Sequence, residues 1–138
     1  MHLLGTKTMM FLDKYYQIVQ QFPDHIAVQE NNLHHISHQE LWSDAQCIAL
    51  HFKQQGISFG DIVGLYIAKS ADLIATILAL WMLEASFVPL DPQLPIQRLL
   101  FYANNADVSW IVFRNAPFPH FSKQFQLQRL PLTPVSLA

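Results

Sequence analysis

Glycine is scarce in this 138-residue chain, which contains four, and none of them is placed for holding a phosphate group. A phosphate-binding loop needs closely spaced glycines, because several backbone N–H groups must converge on one anion. Neither GxGxxG nor GxxxxGK[ST] occurs in the sequence. We therefore expect no phosphate-binding loop of these kinds, and we expect no serine-hydrolase nucleophile either.

Charged residues are also few. They make up 13% of the chain, against about 25% in a typical soluble domain, whereas hydrophobic residues make up 51%. Two interpretations follow. Either the core is unusually large for the length, or part of the apolar surface is covered by another domain or chain. The sequence leaves both open.

Clustered basic residues and paired cysteines are missing as well. The eight lysines and arginines are scattered and the net charge is −2, so nucleic acid is not expected as a partner. The single cysteine, Cys47, can form no intramolecular disulfide. Its place in an apolar helical pattern predicts a small buried thiol in a reducing compartment.

Signals for export or membrane insertion are not apparent. The first twelve residues lack a basic segment followed by an apolar run. The longest apolar run, residues 73–83, is too short to cross a hydrocarbon layer about 30 Å thick. It predicts a buried core helix, so we expect no membrane partner and a cytoplasmic location.

Hydrophobic spacing predicts an α/β fold, in which helices flank a parallel βαβαβ sheet core that follows a small N-terminal helix and a hairpin. The first helix would bury Phe11, Tyr15, Ile18 and Phe22 and would end before Pro23. The two strands of the hairpin are predicted at residues 26–29 and 33–36. The other strands are predicted at residues 62–67, 86–90, 108–113 and 124–130. Three further helices are predicted, one beginning at residue 37, one from 70 to about 84, and one from 95 to about 104.

Cap residues mark the second helix. Ser37 and Glu40 form a capping box, and Gly56 is placed for the left-handed residue that ends a helix. Its buried face would consist of Leu41, Ala45, Ile48 and Phe52. The whole chain, 1–138, is predicted to be a single domain with its core at 11–113 and a proline-rich tail at 114–138, which is extended or frayed after residue 131.

Two groups of side chains are candidates for a site. His34, His35 and His38 crowd together as zinc ligands sometimes do, but neighbouring strand residues point to opposite faces, so half-buried or surface histidines are the favoured interpretation. His25, His51 and His120 have no evident partners. The three tryptophans are Trp42, Trp81 and Trp110. Core packing explains them better than an aromatic ligand site does. We assign no catalytic, cofactor-binding or metal-binding residue.

Four stretches, in order, resemble the N-terminal subdomain of the adenylate-forming (AMP-binding) superfamily, and most of all the adenylation domains of nonribosomal peptide synthetases. Residues 22–28 (FPDHIAV) are similar to "tPdaiAV", and residues 36–41 (ISHQEL) to the first core motif, L-[TS]-Y-x-E-L. Residues 56–64 (GISFGDIVG) resemble "GvxpGDvVg". Residues 80–95 (LWMLEASFVPLDPQLP) resemble the second core motif, "LKAGaAyVPLDPxyP", and Arg98-Leu99 continues it.

Departures from the family pattern occur at two places. His38 stands where the family usually has tyrosine. Residues 81–84 (WMLE) replace a leucine-lysine-alanine-glycine run, so Glu84 stands in place of a glycine at a turn that would favour a left-handed backbone.

The resemblance implies an AMP-dependent synthetase or ligase, which joins a carboxylate to ATP and releases pyrophosphate. ATP and Mg²⁺ are implied for the full-length family only. In the family, the Ser/Thr/Gly-rich phosphate loop, the ribose-binding aspartate, an arginine and the catalytic lysine come later in the chain. The leading hypothesis is a truncated or split adenylation-domain segment, without cofactor and inactive by itself. The alternatives are one half of an enzyme completed by a second chain, or a non-catalytic module that binds a partner or self-associates.

Overall fold

A computed structural model describes residues 6–114 and 126–131 of the chain. These residues form an α/β fold, as predicted. In chain order the elements are α1 (Thr6–Gln21), β1 (Ile26–Gln29), β2 (His35–Ser37), α2 (His38–Gln55), β3 (Ile62–Tyr66), α3 (Ala71–Met82), β4 (Ser86–Pro89), α4 (Ile96–Asn105), β5 (Trp110–Phe113) and β6 (Gln126–Arg129). His120 and the expected extended terminus after residue 131 lie outside the described residues.

The predicted hairpin is present. β1 and β2 are antiparallel and pair Ile26 with Ser37 and Gln29 with His35. β2 begins two residues later than the sequence predicts. The reason is the side chain of Asn31, whose Oδ1 accepts hydrogen bonds of 2.8 Å from the backbone N–H groups of Leu33 and His34 and so keeps both residues in the turn.

Four parallel strands form the main sheet, in the order β4-β3-β5-β6, which confirms the parallel core and the additional strand predicted at residues 124–130. Helices α2 and α3 pack on one face, in a large cluster that includes Val63, Trp110 and Val112. Helix α4 covers the other face, in a smaller cluster around Ile111 and Leu99. Both faces are therefore covered, as parallel sheets require.

The cap signals of α2 are confirmed. The Ser37 hydroxyl accepts a hydrogen bond from the Glu40 backbone N–H, and the Glu40 carboxylate accepts one from the Ser37 N–H. Gly56 ends the helix with φ 108°. Three predicted core residues, Ala45, Ile48 and Phe52, have no exposed surface, and Leu41 has 3%.

Two burial predictions are wrong. Helix α1 buries Val19 and packs Leu12 and Tyr15 against the core, whereas Phe11, Ile18 and Phe22 remain 42–49% exposed. The helix contacts both α2 and α3. These contacts bury a face of α1 that is rotated from the face that apolar spacing suggests. Cys47 is exposed, because Leu41, Ala45, Ile48 and Phe52 take the buried side of α2.

The turn after α3 has the left-handed backbone expected from the family comparison. Glu84 has φ 58°, and the next residue returns to the sheet, with the Ala85 N–H donating to the Leu80 carbonyl at 2.9 Å. A side chain in this region costs about 1–2 kcal/mol. We expect Glu84→Gly to raise the free energy of unfolding by about 0.5–1 kcal/mol in urea denaturation. Glu84→Ala, which removes the same side-chain contacts but keeps a Cβ, is the control and should be less stable than Glu84→Gly.

Within the described residues, no helix combines the length and the apolar character needed to cross a bilayer.

Candidate functional site at the carboxyl edge of the sheet

The sheet has a topological switch point between β3 and β5. From β3 the chain runs through α3 to β4, which lies on one side of β3 in the sheet. It then returns through α4 to β5, which lies on the other side of β3, and β6 lies beyond β5. In open parallel sheets, ligands bind in the crevice beyond the carboxyl ends of the strands at such a point. This edge is therefore the place to look for a site in the described part of the chain.

Arg114 occupies the crevice directly after β5. Its Nε lies 3.1 Å from the Asp72 carboxylate, and both side chains are largely buried, at 20% and 28% exposure. Its Nη1 donates to the carbonyl oxygens of Pro131 at 3.2 Å and Leu130 at 3.4 Å. One guanidinium thus joins the first turn of α3 to the chain that leaves β6.

A second arginine closes the same edge. The Arg129 guanidinium donates to the carbonyl oxygen of Arg114 at 3.0 Å and lies 5.0 Å from the centre of the Phe113 ring. Together the two arginines hold the ends of β5 and β6 in one arrangement.

Side chains of this protein accept hydrogen bonds from backbone N–H groups at the N-terminus of α3. The Glu30 carboxylate, which comes from the hairpin, accepts a hydrogen bond of 2.5 Å from the Ala71 N–H, and the Ser70 hydroxyl accepts one of 3.2 Å from the Leu73 N–H. Helix N-termini bind anions through these free N–H groups. At this helix the N–H groups of Ala71 and Leu73 are already paired with Glu30 and Ser70.

Removing the Arg114 guanidinium should loosen this edge. We expect Arg114→Met to lower the free energy of unfolding by about 1.5–2 kcal/mol, because two carbonyl oxygens and the Asp72 carboxylate lose a charged donor. Arg114→Lys keeps the charge but not the planar fork, so its stability should fall between that of Arg114→Met and that of the unchanged chain. Urea denaturation measures the free energy of unfolding of both variants. If Arg114→Met lowers it by less than about 0.5 kcal/mol, Arg114 does not stabilise this edge.

The histidines do not converge on a metal site in the described part of the chain, where no group of three metal-ligating side chains is found. His34 Nε2 is 3.9 Å from the Glu30 carboxylate, whereas His38 Nδ1 is 2.8 Å from the Tyr15 hydroxyl. The sequence suggests no partner for His25 or His51, but the structure shows one for each. His25 stacks on Phe22 with ring centres 4.9 Å apart, and His51 shares a 3.0 Å hydrogen bond with the Gln128 amide.

Burial raises the pKa of Tyr15 from 10.0 to about 12. The unfolded chain then loses this proton before the folded chain does, so ionisation favours unfolding. The contribution of Tyr15 to the free energy of unfolding should stay level below pH 10 and fall between pH 10 and about 12. Tyr15→Phe should remove this part of the decline. Tyr16→Phe, at an exposed position of the same helix, is the control, and equal alkaline profiles for the two variants would contradict the prediction.

The tryptophans take part in packing, as predicted. Trp42 lies against Tyr15 and Tyr16, with ring centres 6.0 and 5.1 Å apart, and Trp81 contacts Phe11 edge-on at 5.2 Å. Trp110 is 9% exposed and belongs to the large core cluster.

Residues 56–60 (GISFG) do match the GxSxG spacing of a hydrolase nucleophile, which the expectation from sequence overlooked. That motif needs a strand followed by a helix, and here the segment joins α2 to β3, the reverse order. Ser58 lines a cavity of about 270 Å³ together with Lys53, Glu84 and apolar side chains. Within the described residues, no hydrogen bond links its hydroxyl to Lys53, and the segment is a turn between α2 and β3.

Comparison with known proteins gives consistent matches. A model of the family described as "AMP-binding enzyme" matches residues 16–135. Nonribosomal peptide synthetase sidE of Aspergillus fumigatus is 28% identical over 120 residues, which are 87% of this chain and 6% of that protein. Syringomycin synthase SyrB1 of Pseudomonas syringae is 28% identical over 102 residues, which are 74% of this chain and 16% of that protein.

A solved structure shares the fold. The N-terminal subdomain of NpsA from Klebsiella oxytoca, in complex with 3-hydroxybenzoyl-AMSN, aligns with a TM-score of 0.74 at 22% identity. The alignment covers 85% of this chain and 29% of the NpsA chain. The present chain therefore spans less than a third of each of these three proteins.

Proposed function

This chain belongs to the AMP-binding enzyme family, and we propose that it supplies scaffold to an adenylation domain while other polypeptide supplies the catalytic groups. It corresponds to part of the N-terminal subdomain of an adenylation domain of the nonribosomal peptide synthetase type. The activity of the complete domain would be carboxylate activation. A carboxylate oxygen bonds to the α-phosphorus of ATP, the bond to the leaving pyrophosphate breaks, and an acyl-adenylate forms.

The proposal rests on the carboxyl edge of the sheet. Two positive groups at this edge are already engaged within the chain: Arg114 by Asp72 and two carbonyl oxygens, and the N–H of Ala71 by Glu30. Adenylation depends on positioning and charge stabilisation at the phosphates. Side chains engaged in this way support the strands and helices of the domain but give no such stabilisation.

The test compares this chain with a related protein of known ligand. Purified 138-residue chain is titrated in a calorimeter with ATP and Mg²⁺ and, separately, with 3-hydroxybenzoyl-AMSN, for which the N-terminal subdomain of Klebsiella oxytoca NpsA is the positive control. We expect no saturable heat for this chain up to millimolar ATP. Saturable binding at micromolar concentration, or exchange of labelled pyrophosphate into ATP by the chain alone, would overturn the proposal.

Completion by a second polypeptide is the mode of action that this proposal favours. The apolar composition, 51% hydrophobic against 13% charged, supports a surface that other protein covers. We further propose a cytoplasmic location, where ATP is available for adenylation.

A further inference from the structure

The outer side of α4 carries an unusual residue for a solvent-facing position. The helix buries Leu99 and Ala103 and turns Phe101 to the opposite side, where 61% of its surface is exposed. Tyr102, beside it, is 39% exposed. The ten residues of α4 include a single charged one, Arg98, and no carboxylate. Aromatic residues and arginine with few other charges are typical of protein–protein interface cores.

A groove runs beside the exposed aromatic pair. It has a volume of about 400 Å³ and lies between the end of α4 and strand β4. Its lining is mostly apolar and consists of Val88, Pro89, Tyr102, Asn105 and Ala106. A projecting ring and a groove that could accept it therefore lie next to each other on one face, which we call the α4 face.

The edge of the sheet limits what can dock there. The Ser86 N–H donates to the Asp61 carbonyl oxygen at 2.8 Å, and the Leu90 N–H donates to the Leu65 carbonyl oxygen at 3.0 Å, both toward the inside of the sheet. Successive backbone nitrogens of a strand point to opposite sides, so the nitrogen of Pro89 faces outward, away from β3. Proline has no N–H to donate, and proline at an edge strand blocks pairing with a further strand. The partner for the α4 face is therefore a surface of side chains, such as a helix.

The charges at the ends of α4 favour a particular partner. Arg98 lies in the first turn and Asp107 follows the last turn, so each is at the end of the helix dipole where its charge is unfavourable. Neither residue makes an ion pair within residues 6–114 and 126–131. A second α4 lying antiparallel to the first would bring each Arg98 to Asp107 of the partner subunit.

We propose that two copies of this chain associate through the α4 face about a two-fold axis. The α4 helices lie antiparallel, each Phe101 ring enters the partner's groove, and Arg98 pairs with the partner's Asp107 at both ends. A two-fold interface uses the same patch on both subunits, so it requires ring and groove on one face. The proposal is independent of the adenylation role, since ATP binding by the chain would not change it.

Sedimentation velocity of the 138-residue chain from about 1 to 300 µM tests the association. We expect a concentration-dependent monomer–dimer equilibrium, and we expect Phe101→Asp to raise the dissociation constant at least thirtyfold, roughly the effect of losing one interface hot spot. Leu50→Asp is the matched control, because Leu50 on α2 is 59% exposed. A monomer at every concentration, or equal weakening by the two variants, would overturn the proposal.

Charge exchange tests the orientation. Arg98→Asp and Asp107→Arg should each weaken the dimer about tenfold or more, and the double variant should restore the dissociation constant to within about threefold of the original. Arg98→Asp improves the charge arrangement along α4, so its thermal unfolding midpoint should not fall, which separates lost association from lost folding. A double variant that dimerises no better than the single ones would sink the antiparallel arrangement.

Discussion

Replacing Phe52 by alanine is expected to lower the free energy of unfolding by about 3–5 kcal/mol. Phe52 is fully buried in the cluster between α2, α3 and the sheet, and it is among the largest side chains with no exposed surface. Its removal costs the transfer free energy of the ring and leaves a cavity that the close-packed helices cannot fill. Domains are stable by only about 5–15 kcal/mol, so the variant should be close to unfolding at about 37 °C.

Leu50 provides the control for this change on the same helix. It is 59% exposed, two residues before Phe52, so Leu50→Ala should change the free energy of unfolding by less than about 0.5 kcal/mol. Urea denaturation followed by circular dichroism measures both variants. Should Phe52→Ala cost no more than Leu50→Ala, the packing of α2 against the sheet would be wrong.

Features set by neighbouring residues were predictable from the sequence. The capping box of Ser37 and Glu40, the left-handed Gly56 and the order of strands and helices all depend on contacts within one or two turns of chain. The left-handed backbone at Glu84 was also anticipated, because a glycine usually stands there in the family. Local chemistry of this kind is largely independent of how the elements later pack.

The candidate site was not predictable in the same way. Glu30 caps a helix 41 residues further along the chain, and Arg114 pairs with Asp72 across two elements. No spacing rule links such residues, since the sheet order alone brings them together. The buried face of α1 was mispredicted for a related reason: two apolar stripes were available, and contact with α2 and α3 determined which one is covered. Only the position of Arg114 directly after a buried strand could have pointed to the site.

A side chain at Gly64 is expected to destabilise the sheet by overpacking. A Cβ atom placed there would lie 2.7 Å from Leu90 Cδ1 and 3.3 Å from Val108 Cγ1. Both neighbours belong to the small cluster under α4, where Leu90 has no exposed surface and Val108 has 6%. We expect Gly64→Ala to cost about 1–3 kcal/mol through overpacking, and Gly64→Val to cost at least the upper end of that range.

A double-mutant cycle identifies Leu90 as the obstacle. Leu90→Ala alone should cost about 2–5 kcal/mol by leaving a cavity, but in the Gly64→Ala background part of that space is filled by the new methyl group. The double variant should therefore be more stable than the sum of the two single changes predicts, by at least about 0.5 kcal/mol. Additive losses would mean that Gly64 is needed for its backbone alone. Its φ argues against that, since among the described glycines a positive φ is confined to Gly56 and Gly60. The close approach of Leu90 to β3 is thus what the absence of a side chain at Gly64 makes possible.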